Sequence, residues 1–445
     1  MVDNLYVIVG LGATGFSCVR HLIAREANIA VTDSRIHPPQ LDEFKKLYPQ
    51  VPLSLGAIDE ALLSKAHVIV VSPGISLQEP AIAAQIKRGV KVVGDVELFA
   101  QAANAPVIAI TGTNAKSTVT TLVAQMAVAS GLHVKVGGNL GVPALDLLTI
   151  PAPDLYVLEL SSFQLDTTYS LKPAVATILN ITPDHMDRYG TVEAYIASKQ
   201  RVYMNCKIAV CNRDDVETDC KSTASTQKIF FTLSQPKHNE FGIMNHNGES
   251  YLTKGDERLM PVAKLPILGR HYQANALAAL AIGYAFGFSM PAMLATLVEF
   301  KGLPHRCQLV RERNGVTWYN DSKGTNVGAT LAAINGLGSE ISGKLILIAG
   351  GVGKNADFSP LVPAIEKYTR SVILIGEAAP ILNVLLKDCA SVRLAKTMEE
   401  AVVLAASLAL PGDSVLLSPA CASFDMFNNF EHRGNVFTEI TQELA

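Results

Sequence analysis

The segment from Thr111 to Thr118 constrains the fold of this chain more than any other part of the sequence. It reads Thr-Gly-Thr-Asn-Ala-Lys-Ser-Thr and follows the apolar run Val107–Ile110. A strand, a tight loop and a Lys-Ser/Thr pair that opens a helix form a P-loop, whose N–H groups and lysine hold the β- and γ-phosphates while the hydroxyl reaches Mg²⁺. The sequence therefore predicts an α/β domain that binds ATP. The predicted contacts are Gly112, Thr113, Asn114, Ala115, Lys116, Ser117 and Thr118.

One residue of this loop departs from the usual pattern, because Ala115 stands where such a loop has glycine. Glycine adopts a positive φ without steric cost, whereas a residue with a Cβ is strained there. If the loop needs a positive φ at this position, we expect Ala115 to be strained and nucleotide binding to be weakened.

A second glycine loop lies near the start of the chain. Gly10-Leu-Gly12-Ala-Thr-Gly15 follows the apolar run Leu5–Val9, and Asp33 ends the next predicted strand. This is the dinucleotide fingerprint, in which glycines permit a tight turn and a diphosphate lies at the helix N-terminus. Taken alone, it indicates an NAD-dependent enzyme in which Asp33 meets a ribose. Because hydride transfer has no use for a triphosphate site, we predict the diphosphate of another nucleotide, with a ligand-free tight turn as the alternative.

Metal-capable side chains follow two further apolar strands. Glu159 lies near the end of Leu155–Leu160, and His185 belongs to the polar segment Asp184–Tyr189 that follows Val175–Leu179. Hard oxygen ligands suit Mg²⁺, and histidine is a less usual ligand for it. The sequence therefore predicts a magnesium site near the P-loop.

Short apolar runs alternate with amphipathic segments along most of the chain, which is typical of parallel sheets covered by helices. Polar turns between residues 206 and 262 predict a small antiparallel addition. The predicted domains are a Rossmann-like domain at residues 1–95, a P-loop ATPase-type α/β domain at 96–300 and a Rossmann-like α/β domain at 301–445. The predicted strands are Leu5–Val9, Ile29–Thr32, His67–Val71, Val90–Val93, Val107–Ile110, Leu155–Leu160, Val175–Leu179, Val316–Asn320, Lys344–Ala349, Val372–Ile375 and Ser414–Leu417.

Composition and charge exclude several classes of protein. The 445 residues carry 37 basic and 40 acidic side chains, so nothing indicates binding to nucleic acid or to an anionic membrane. Seven cysteines, an odd number without a Cys-x-x-Cys pair, argue against a disulfide framework or a structural zinc site. The N-terminus lacks the basic region and apolar stretch of an export signal, so we expect a cytoplasmic protein.

One uncharged segment, Gln273–Val298, is long enough to cross a bilayer. However, it is rich in alanine and contains Asn275, Gly283, Gly287 and a helix restart at Ser289-Met-Pro. We therefore predict two buried helices of a globular protein at this place.

Six longer motifs occur in order along the chain. They are Gly-Thr-Asn-x-Lys-Ser-Thr, Leu-Glu-Leu-Ser-Ser-Phe-Gln-Leu, Asp-His-Met-Asp-Arg-Tyr, Leu-Pro-His-Arg, Asn-Asp-Ser-Lys-Gly-Thr-Asn and Leu-Leu-Ser-Pro-Ala-Cys-Ala-Ser-Phe-Asp. Together they resemble those of the ATP-dependent Mur ligases of peptidoglycan synthesis, over essentially the whole chain. The resemblance is closest to the members that add D-glutamate to UDP-N-acetylmuramoyl-L-alanine. It implies two Mg²⁺ ions and a carbamylated Lys199, and we expect a monomer.

The resemblance also assigns residues to each ligand. For the UDP-substrate they are Ala13, Thr14, Asp33, Ser34, Arg35, Ser72, Pro73, Gly74, Asn139 and Gln164. For ATP, beyond the P-loop, they are Asn275, Arg306, Asp321 and Lys323, and for D-glutamate they are Thr325, Lys354, Ser423 and Phe430. The implied metal ligands are Ser117, Glu159, His185 and carbamylated Lys199, and the implied catalytic residues are Lys116, Glu159, His185, Lys199 and Lys323.

The implied chemistry agrees with these residue types. A carboxylate is a poor acyl donor, so ATP first converts it to an acyl phosphate, and cations such as Lys116 and Lys323 stabilise the charge that develops. An amine then attacks the acyl phosphate, while domain closure keeps water out. The alternatives are a related Mur or folylpolyglutamate-type ligase for another amino acid, an NAD-dependent oxidoreductase, and a P-loop switch or motor.

Overall fold

The structure is a computed structural model that describes residues 4–221, 226–267 and 269–444. Within these residues the strands form three separate sheets of five, nine and six strands. Each sheet is built from one continuous part of the chain, and helices connect most of its strands. The predicted α/β class with three units is thereby confirmed.

The N-terminal sheet is parallel throughout. Its strands are β1 (Leu5–Val9), β2 (Asn28–Asp33), β3 (Leu53–Leu55), β4 (Val68–Val71) and β5 (Lys91–Val93), in the order β3-β2-β1-β4-β5. Its helices are α1 (Ala13–Ile23), α2 (Leu41–Leu47), α3 (Glu60–Leu63) and α4 (Pro80–Lys87). Four strands were predicted, whereas β3 was not, because this half-exposed edge strand has three residues and no continuous apolar run.

The central sheet is parallel except at one end. Its strands are β6 (Val107–Thr111), β7 (Val134–Gly138), β8 (Leu155–Glu159), β9 (Val175–Ile178), β10 (Ile208–Asn212), β11 (Gln227–Phe231), β12 (Phe241–His246), β13 (Glu249–Lys254) and β14 (Glu257–Pro261). Their order is β14-β13-β12-β11-β10-β9-β6-β8-β7. Its helices are α5 (Asp95–Ala102), α6 (Lys116–Ala129), α7 (Ser162–Asp166), α8 (Met186–Tyr189), α9 (Val192–Gln200), α10 (Arg270–Phe286) and α11 (Met290–Glu299).

The prediction of an antiparallel addition over residues 206–262 is wrong for its first half. β10 runs parallel to β9, and β11 runs parallel to β10, so both extend the main sheet. Residues 213–226 join β10 to β11, a length that suits a parallel crossover. The polar turns that prompted the prediction lie only between β12, β13 and β14, which are antiparallel.

The uncharged segment forms most of α10 and all but the last residue of α11, so the prediction of two helices is confirmed. The break comes at Gly287, whose φ of +98° ends α10. In the part of the chain that the structure describes, no helix is long and apolar enough to span a membrane.

The C-terminal sheet has one antiparallel edge. Its strands are β15 (Gln308–Arg313), β16 (Val316–Asn320), β17 (Leu345–Gly350), β18 (Thr369–Ile375), β19 (Ser391–Leu394) and β20 (Ser414–Leu417), in the order β15-β16-β20-β17-β18-β19. Its helices are α12 (Val327–Gly338), α13 (Val362–Tyr368), α14 (Ala379–Leu386), α15 (Met398–Leu408) and α16 (Phe430–Glu443). The edge strands β15 and β19 were not predicted, because charged residues interrupt their apolar pattern.

The N-terminal and central units share a hydrophobic core. Phe16 of α1 belongs to the same buried cluster as Phe99 of α5 and Tyr156 of β8. The rings of Phe99 and Tyr156 meet edge to face at 5.0 Å. Because a large apolar interface disfavours relative motion, we expect these two units to move as one body.

Candidate active site

The P-loop lies between β6 and α6, and Ala115 has the left-handed backbone that we considered from the sequence. Its φ is +66°, a region in which a Cβ is strained. Lys116, the next residue, folds back so that its Nζ donates to the carbonyl oxygens of Gly112 at 3.0 Å and Thr113 at 2.9 Å. In a nucleotide-bound P-loop, the lysine Nζ donates to phosphate oxygens instead of these carbonyl oxygens.

A second lysine, Lys199, also donates a hydrogen bond to this loop. Lys199 of α9 is 1% exposed, and its Nζ donates to the carbonyl oxygen of Gly112 at 2.8 Å. Burial, assisted by the charge of Lys116, holds the pKa of Lys199 well below its ordinary value. A lowered pKa enlarges the uncharged fraction of an amine, and only an uncharged amine can attack CO₂ to form a carbamate. The surroundings of Lys199 therefore favour the form of the amine that carbamylation needs.

A cavity beside the P-loop is lined by Lys116, Ser117, Glu159 and Lys199, among other residues. One buried carboxylate oxygen in this cavity has no hydrogen-bond partner among the described residues. Glu159, at the end of β8, is 2% exposed, and its Oε1 accepts from Asn139 Nδ2 at 2.6 Å. Its Oε2 has no hydrogen-bond partner among the described residues, which is costly for a buried carboxylate. Ser117 Oγ lines the same cavity and accepts from Arg306 at 2.8 Å. Carboxylate and hydroxyl oxygens suit Mg²⁺, so these side chains fit the predicted ion.

His185 also lines this cavity, at a position with φ +58°. Burial lowers the pKa of its imidazole, which favours the neutral form that binds metals. The described residues contain no group of three or more His, Cys, Asp or Glu side chains placed to hold a metal. Since Mg²⁺ usually takes several ligands from water and substrate phosphates, a complete protein cage is not required.

Asp184 joins the central unit to the C-terminal unit, and we did not assign it a role from the sequence. Its Oδ1 lies 3.5 Å from Lys354 Nζ, and its Oδ2 accepts from Asn326 Nδ2 at 3.2 Å. Burial acts to raise the pKa of this carboxyl, but the charges of Lys354 and His185 outweigh it and the pKa is lowered. Asp184 is therefore a charged contact across the domain boundary, which no local sequence pattern indicates.

Of the four residues predicted for D-glutamate, only Thr325 lines the cavity beside the P-loop. Lys354 lies close to it, with its Nζ 3.5 Å from the Thr325 carbonyl oxygen. The Nζ of Lys323 lies 3.6 Å from the centre of the Phe430 ring, a cation–π distance. Ser423 is buried at 2% exposure. In the structure, Lys354 therefore lies beside Thr325, and Phe430 lies beside Lys323, the lysine predicted for ATP.

A second cavity, of about 310 Å³, lies between the central and C-terminal units and is also lined by P-loop residues. Its lining includes all four residues predicted for ATP beyond the P-loop, which are Asn275, Arg306, Asp321 and Lys323. Burial raises the pKa of Asp321 to about 6 and lowers the pKa of Lys323 to about 8. Arg306 also lines the cavity beside the P-loop, where it donates to Ser117 Oγ.

Two polar groups of this second cavity were missed in the sequence. His271 Nδ1 and Tyr272 Oη are buried, and neither has a hydrogen-bond partner among the described residues. Both residues line the cavity, so these atoms are available to the polar edge of a ligand. They lie at the start of the alanine-rich helix α10, where sequence alone suggests ordinary core positions.

All ten residues predicted for the UDP-substrate line one cavity between the N-terminal and central units. The glycine loop forms part of its wall, and a Cβ added at Gly15 would collide with the carbonyl oxygen of Gly10. Asp33 does not offer a free acceptor here. Its oxygens accept from the Leu11 N–H at 2.7 Å and from the backbone and guanidinium of Arg35. Asp33 thus orients the loop and Arg35, and its four hydrogen bonds differ from the ribose contact of the NAD alternative.

The site combines a P-loop, the buried Lys199 that contacts it and a separate glycine-loop cavity, and the C-terminal unit completes the site. These features define a three-domain nucleotide-dependent enzyme. Family models match the chain in three consecutive parts. They are the Mur ligase MurD-like N-terminal domain at residues 4–94, the Mur ligase middle domain at 110–283 and the Mur ligase glutamate ligase domain at 305–421. The chain belongs to the Mur ligase family.

Curated relatives with one shared name are similar to the chain over nearly their full length. The UDP-N-acetylmuramoylalanine–D-glutamate ligase of Coxiella burnetii is 50% identical over 99% of both chains. The enzyme of that name from Nitrosococcus oceani is 52% identical over 98% of this chain and 96% of the relative. The one from Pseudomonas savastanoi is 51% identical over 100% and 99%, respectively.

Solved structures share the fold at lower identity. MurF from Acinetobacter baumannii has a TM-score of 0.63 at 16% identity and covers 98% of this chain and 90% of its own. The UDP-N-acetylmuramate–alanine ligase MurC from Thermotoga maritima has a TM-score of 0.62 at 16% identity and covers 99% of both chains. FolC from E. coli has a TM-score of 0.60 at 18% identity over 79% and 93%. These likenesses support the three-domain α/β architecture.

Proposed function

We propose that this enzyme is an ATP-dependent acid–D-amino-acid ligase that joins D-glutamate to UDP-N-acetylmuramoyl-L-alanine in peptidoglycan precursor synthesis. The observation that carries the proposal is the 50% identity, over 99% of both chains, to a relative named for this reaction. Three adjoining cavities, each with the residue types suited to one part of the reaction, support it. Its substrates are small molecules, and we expect it to work in the cytoplasm as a monomer.

The reaction runs in two steps. A carboxylate oxygen of UDP-N-acetylmuramoyl-L-alanine attacks the γ-phosphorus of ATP, the bond to the β-phosphate oxygen breaks, and an acyl phosphate and ADP form. The amine of D-glutamate then attacks the acyl carbon, phosphate leaves with the bonding pair of the C–O bond, and the amine loses a proton. Both steps develop negative charge on oxygen, so preorganised cations and N–H donors accelerate them.

The residues that line the cavity beside the P-loop supply these cations. Lys116 and Lys323 line it together with Arg306, so three positive side chains reach one space. When ATP binds, Lys116 exchanges its hydrogen bonds with the loop carbonyl oxygens for hydrogen bonds with phosphate oxygens. Arg306 then loses its contact with Ser117. When bound, Mg²⁺ adds positive charge at the β- and γ-phosphates, and Ser117 and Glu159 are the side chains that would hold it.

Lys199 supports this site in a second way. As a free amine it donates to the Gly112 carbonyl oxygen, whereas its carbamate would present an anionic oxygen. A carbamate forms when the uncharged Nζ attacks CO₂, with an N–C bond made and a proton released. We propose that Lys199 is carbamylated in the active enzyme and that, with His185, it forms a second metal site.

The C-terminal unit binds the incoming amino acid. D-Glutamate carries two carboxylates that lose water on binding, and an unpaired buried carboxylate is very costly. Lys354 is the cation beside Thr325, and it is paired with Asp184 in the structure. We propose that a substrate carboxylate takes the place of Asp184 at Lys354, with Thr325 and Ser423 as further donors and Phe430 as an apolar wall.

Phosphate release tests this function. The purified enzyme is given ATP, Mg²⁺ and UDP-N-acetylmuramoyl-L-alanine with a panel of amino acids that includes D- and L-glutamate. Phosphate release that depends on D-glutamate and on the UDP-substrate is the expected result. Equal use of L-glutamate, or preference for another amino acid, would assign the chain to a different ligase of the family. Phosphate release without any amino acid would favour the switch or motor alternative.

A further inference from the structure

The start of α5 packs closely against the end of α7, next to the UDP-substrate cavity. The N–H of Gly94 donates to the Thr167 carbonyl oxygen at 3.2 Å, and a Cβ added at Gly94 would collide with Thr167 Oγ1. Only glycine permits so close an approach. It brings the next residue, Asp95, within hydrogen-bond distance of Gln164 on α7.

Gln164 lines the UDP-substrate cavity, and its amide is fixed at both ends. Its Oε1 accepts from the Ser161 N–H at 3.2 Å, and its Nε2 donates to Asp95 Oδ2 at 3.2 Å. A backbone N–H can only donate and an ionised carboxylate can only accept. A flipped amide would therefore lose both hydrogen bonds, which leaves the second Nε2–H as the group that Gln164 can offer to a ligand.

Among the described residues, the side chain hydrogen-bonded to the Asp95 carboxylate is that of Gln164, and Asp95 also places a negative charge in the first turn of α5. It is 1% exposed, and its Oδ1 has no hydrogen-bond partner among the described residues. Burial raises its pKa to about 6, so the group is ionised at neutral pH and acts as an acceptor. Burial of a carboxylate with one unpaired oxygen is costly for stability, and a leucine of similar size would avoid that cost.

We propose that Asp95 is a positioning residue for the UDP-substrate, because it holds the Gln164 amide with one N–H donor free for an amide group of that substrate. Asn139 lines the same cavity and donates through Nδ2 to Glu159, which leaves its Oδ1 as an acceptor. One donor and one acceptor complement an amide, and UDP-N-acetylmuramoyl-L-alanine has two. The inference rests on the proposed function, since that cavity must bind this substrate.

Kinetics of Asp95 variants test the inference. Asp95→Leu removes the acceptor and releases the Gln164 amide, so KM for the UDP-substrate should rise at least tenfold. KM for ATP and for D-glutamate should change less than twofold, because neither ligand meets Gln164. Asp95→Asn keeps an oxygen that can accept from Gln164 Nε2, and its KM for the UDP-substrate should stay within threefold of the wild type.

A double variant tests whether Asp95 acts through Gln164. Gln164→Leu should raise KM for the UDP-substrate by a similar factor, and the addition of Asp95→Leu should raise it no further. Effects that multiply in the double variant would overturn the proposal, because they would mean that Asp95 acts on its own. If Asp95→Leu does not fold, Asp95→Ser replaces it, since serine is too short to reach Gln164.

Glu97→Gln is the matched control. Glu97 lies on the same helix, is 2% exposed and accepts from the N–H groups of Tyr169 and Ser170 just after α7. Its replacement should lower the melting temperature without changing KM for the UDP-substrate. An unchanged KM in a folded Asp95→Leu or Asp95→Ser variant, or an equal rise in Glu97→Gln, would overturn the inference. Wild-type enzyme that does not use the UDP-substrate would instead contradict the proposed function.

Discussion

Ala115 carries a Cβ at a backbone position that favours glycine. Its φ of +66° costs a non-glycine residue roughly 1–2 kcal/mol, an amount partly offset by the greater freedom of glycine in the unfolded chain. Ala115→Gly should therefore raise the free energy of unfolding by about 1 kcal/mol at most. The affinity for an ATP analogue should stay level or rise. Denaturant unfolding and calorimetric titration measure the two effects.

Ala124→Gly is the control for this prediction, because Ala124 lies in the middle of α6. Glycine there should lower the free energy of unfolding by roughly 0.5–1 kcal/mol, a change of opposite sign. A tenfold loss of ATP affinity in Ala115→Gly, equivalent to about 1.4 kcal/mol, would show that the loop has adapted to alanine.

Lys199 tests the carbamate proposal. Lys199→Ala should nearly abolish turnover and leave UDP-substrate binding intact, because Lys199 does not line that cavity. Short carboxylic acids such as acetate should restore part of the activity by supplying the missing oxygen ligand. Lys207→Ala, an exposed lysine near the same helix, should behave as wild type. Full activity in Lys199→Ala would refute a catalytic role, and a lack of rescue by acids would leave Lys199 as a hydrogen-bond donor to the Gly112 carbonyl oxygen.

Single residues show where sequence reasoning succeeds and where it ends. The positive φ of Ala115 follows from the glycine pattern of the loop, since backbone geometry is encoded locally. The occupied carboxylate of Asp33 does not, because its partners Leu11 and Arg35 become known only when the loop is folded. The unpaired atoms of His271 and Tyr272 carry no sequence signal for the same reason.

At the scale of secondary structure, the buried central strands are the predictable ones. β1, β6 and β17 are continuous apolar runs, and all three lie inside their sheets. Edge strands such as β3 and β15 are short or charged because one side of each faces no partner strand, which removes the apolar pattern on which a prediction depends. The direction of β11 was predicted wrongly because strand direction depends on the crossover, not on the strand residues.

The short helix α8 follows His185, a proposed metal ligand, and contacts a loop of the UDP-substrate cavity. Its residue Arg188 donates to the carbonyl oxygens of Pro73 at 2.8 Å and Ile75 at 2.9 Å, and its guanidinium lies 4.0 Å from the centre of the Phe163 ring. Arg188→Met keeps the apolar packing but removes both donors. We expect KM for the UDP-substrate to rise about tenfold, or about 1.4 kcal/mol, since hydrogen bonds from charged groups contribute about 1.5–3 kcal/mol.

Arg20→Met is the control for the Arg188 prediction. Arg20 pairs with Asp146 at 2.6 Å across the same two units, but it lies outside the UDP-substrate cavity. A partly exposed ion pair contributes little, so KM should change less than twofold. Equal effects of the two substitutions would mean that Arg188 matters only for domain attachment, and an unchanged KM in Arg188→Met would remove it from the site.

For the whole molecule, the two domain boundaries differ in chemistry. The N-terminal and central units share one apolar core, which contains Phe16 of α1 and Tyr156 of β8, whereas the C-terminal unit meets the P-loop region through polar contacts such as Asp184–Lys354. Polar contacts can be exchanged for substrate groups, so the C-terminal unit is the one expected to open and close. The motifs predicted three units and their ligands, but spacing along a chain does not encode which side chains meet across a boundary.

Lys354 is the cation that we propose for amino-acid binding. Lys354→Ala leaves a D-glutamate carboxylate without its partner, so KM for D-glutamate should rise by a factor equivalent to about 2–5 kcal/mol. KM for ATP should change far less, because Lys354 does not line the second cavity, which contains the residues predicted for ATP. Lys344→Ala, in the same unit, removes an exposed lysine whose Nζ donates to the Lys367 carbonyl oxygen, and it should leave both constants unchanged. Initial rates against D-glutamate, L-glutamate and ATP decide the question, and an unchanged KM for D-glutamate would exclude Lys354 from the pocket.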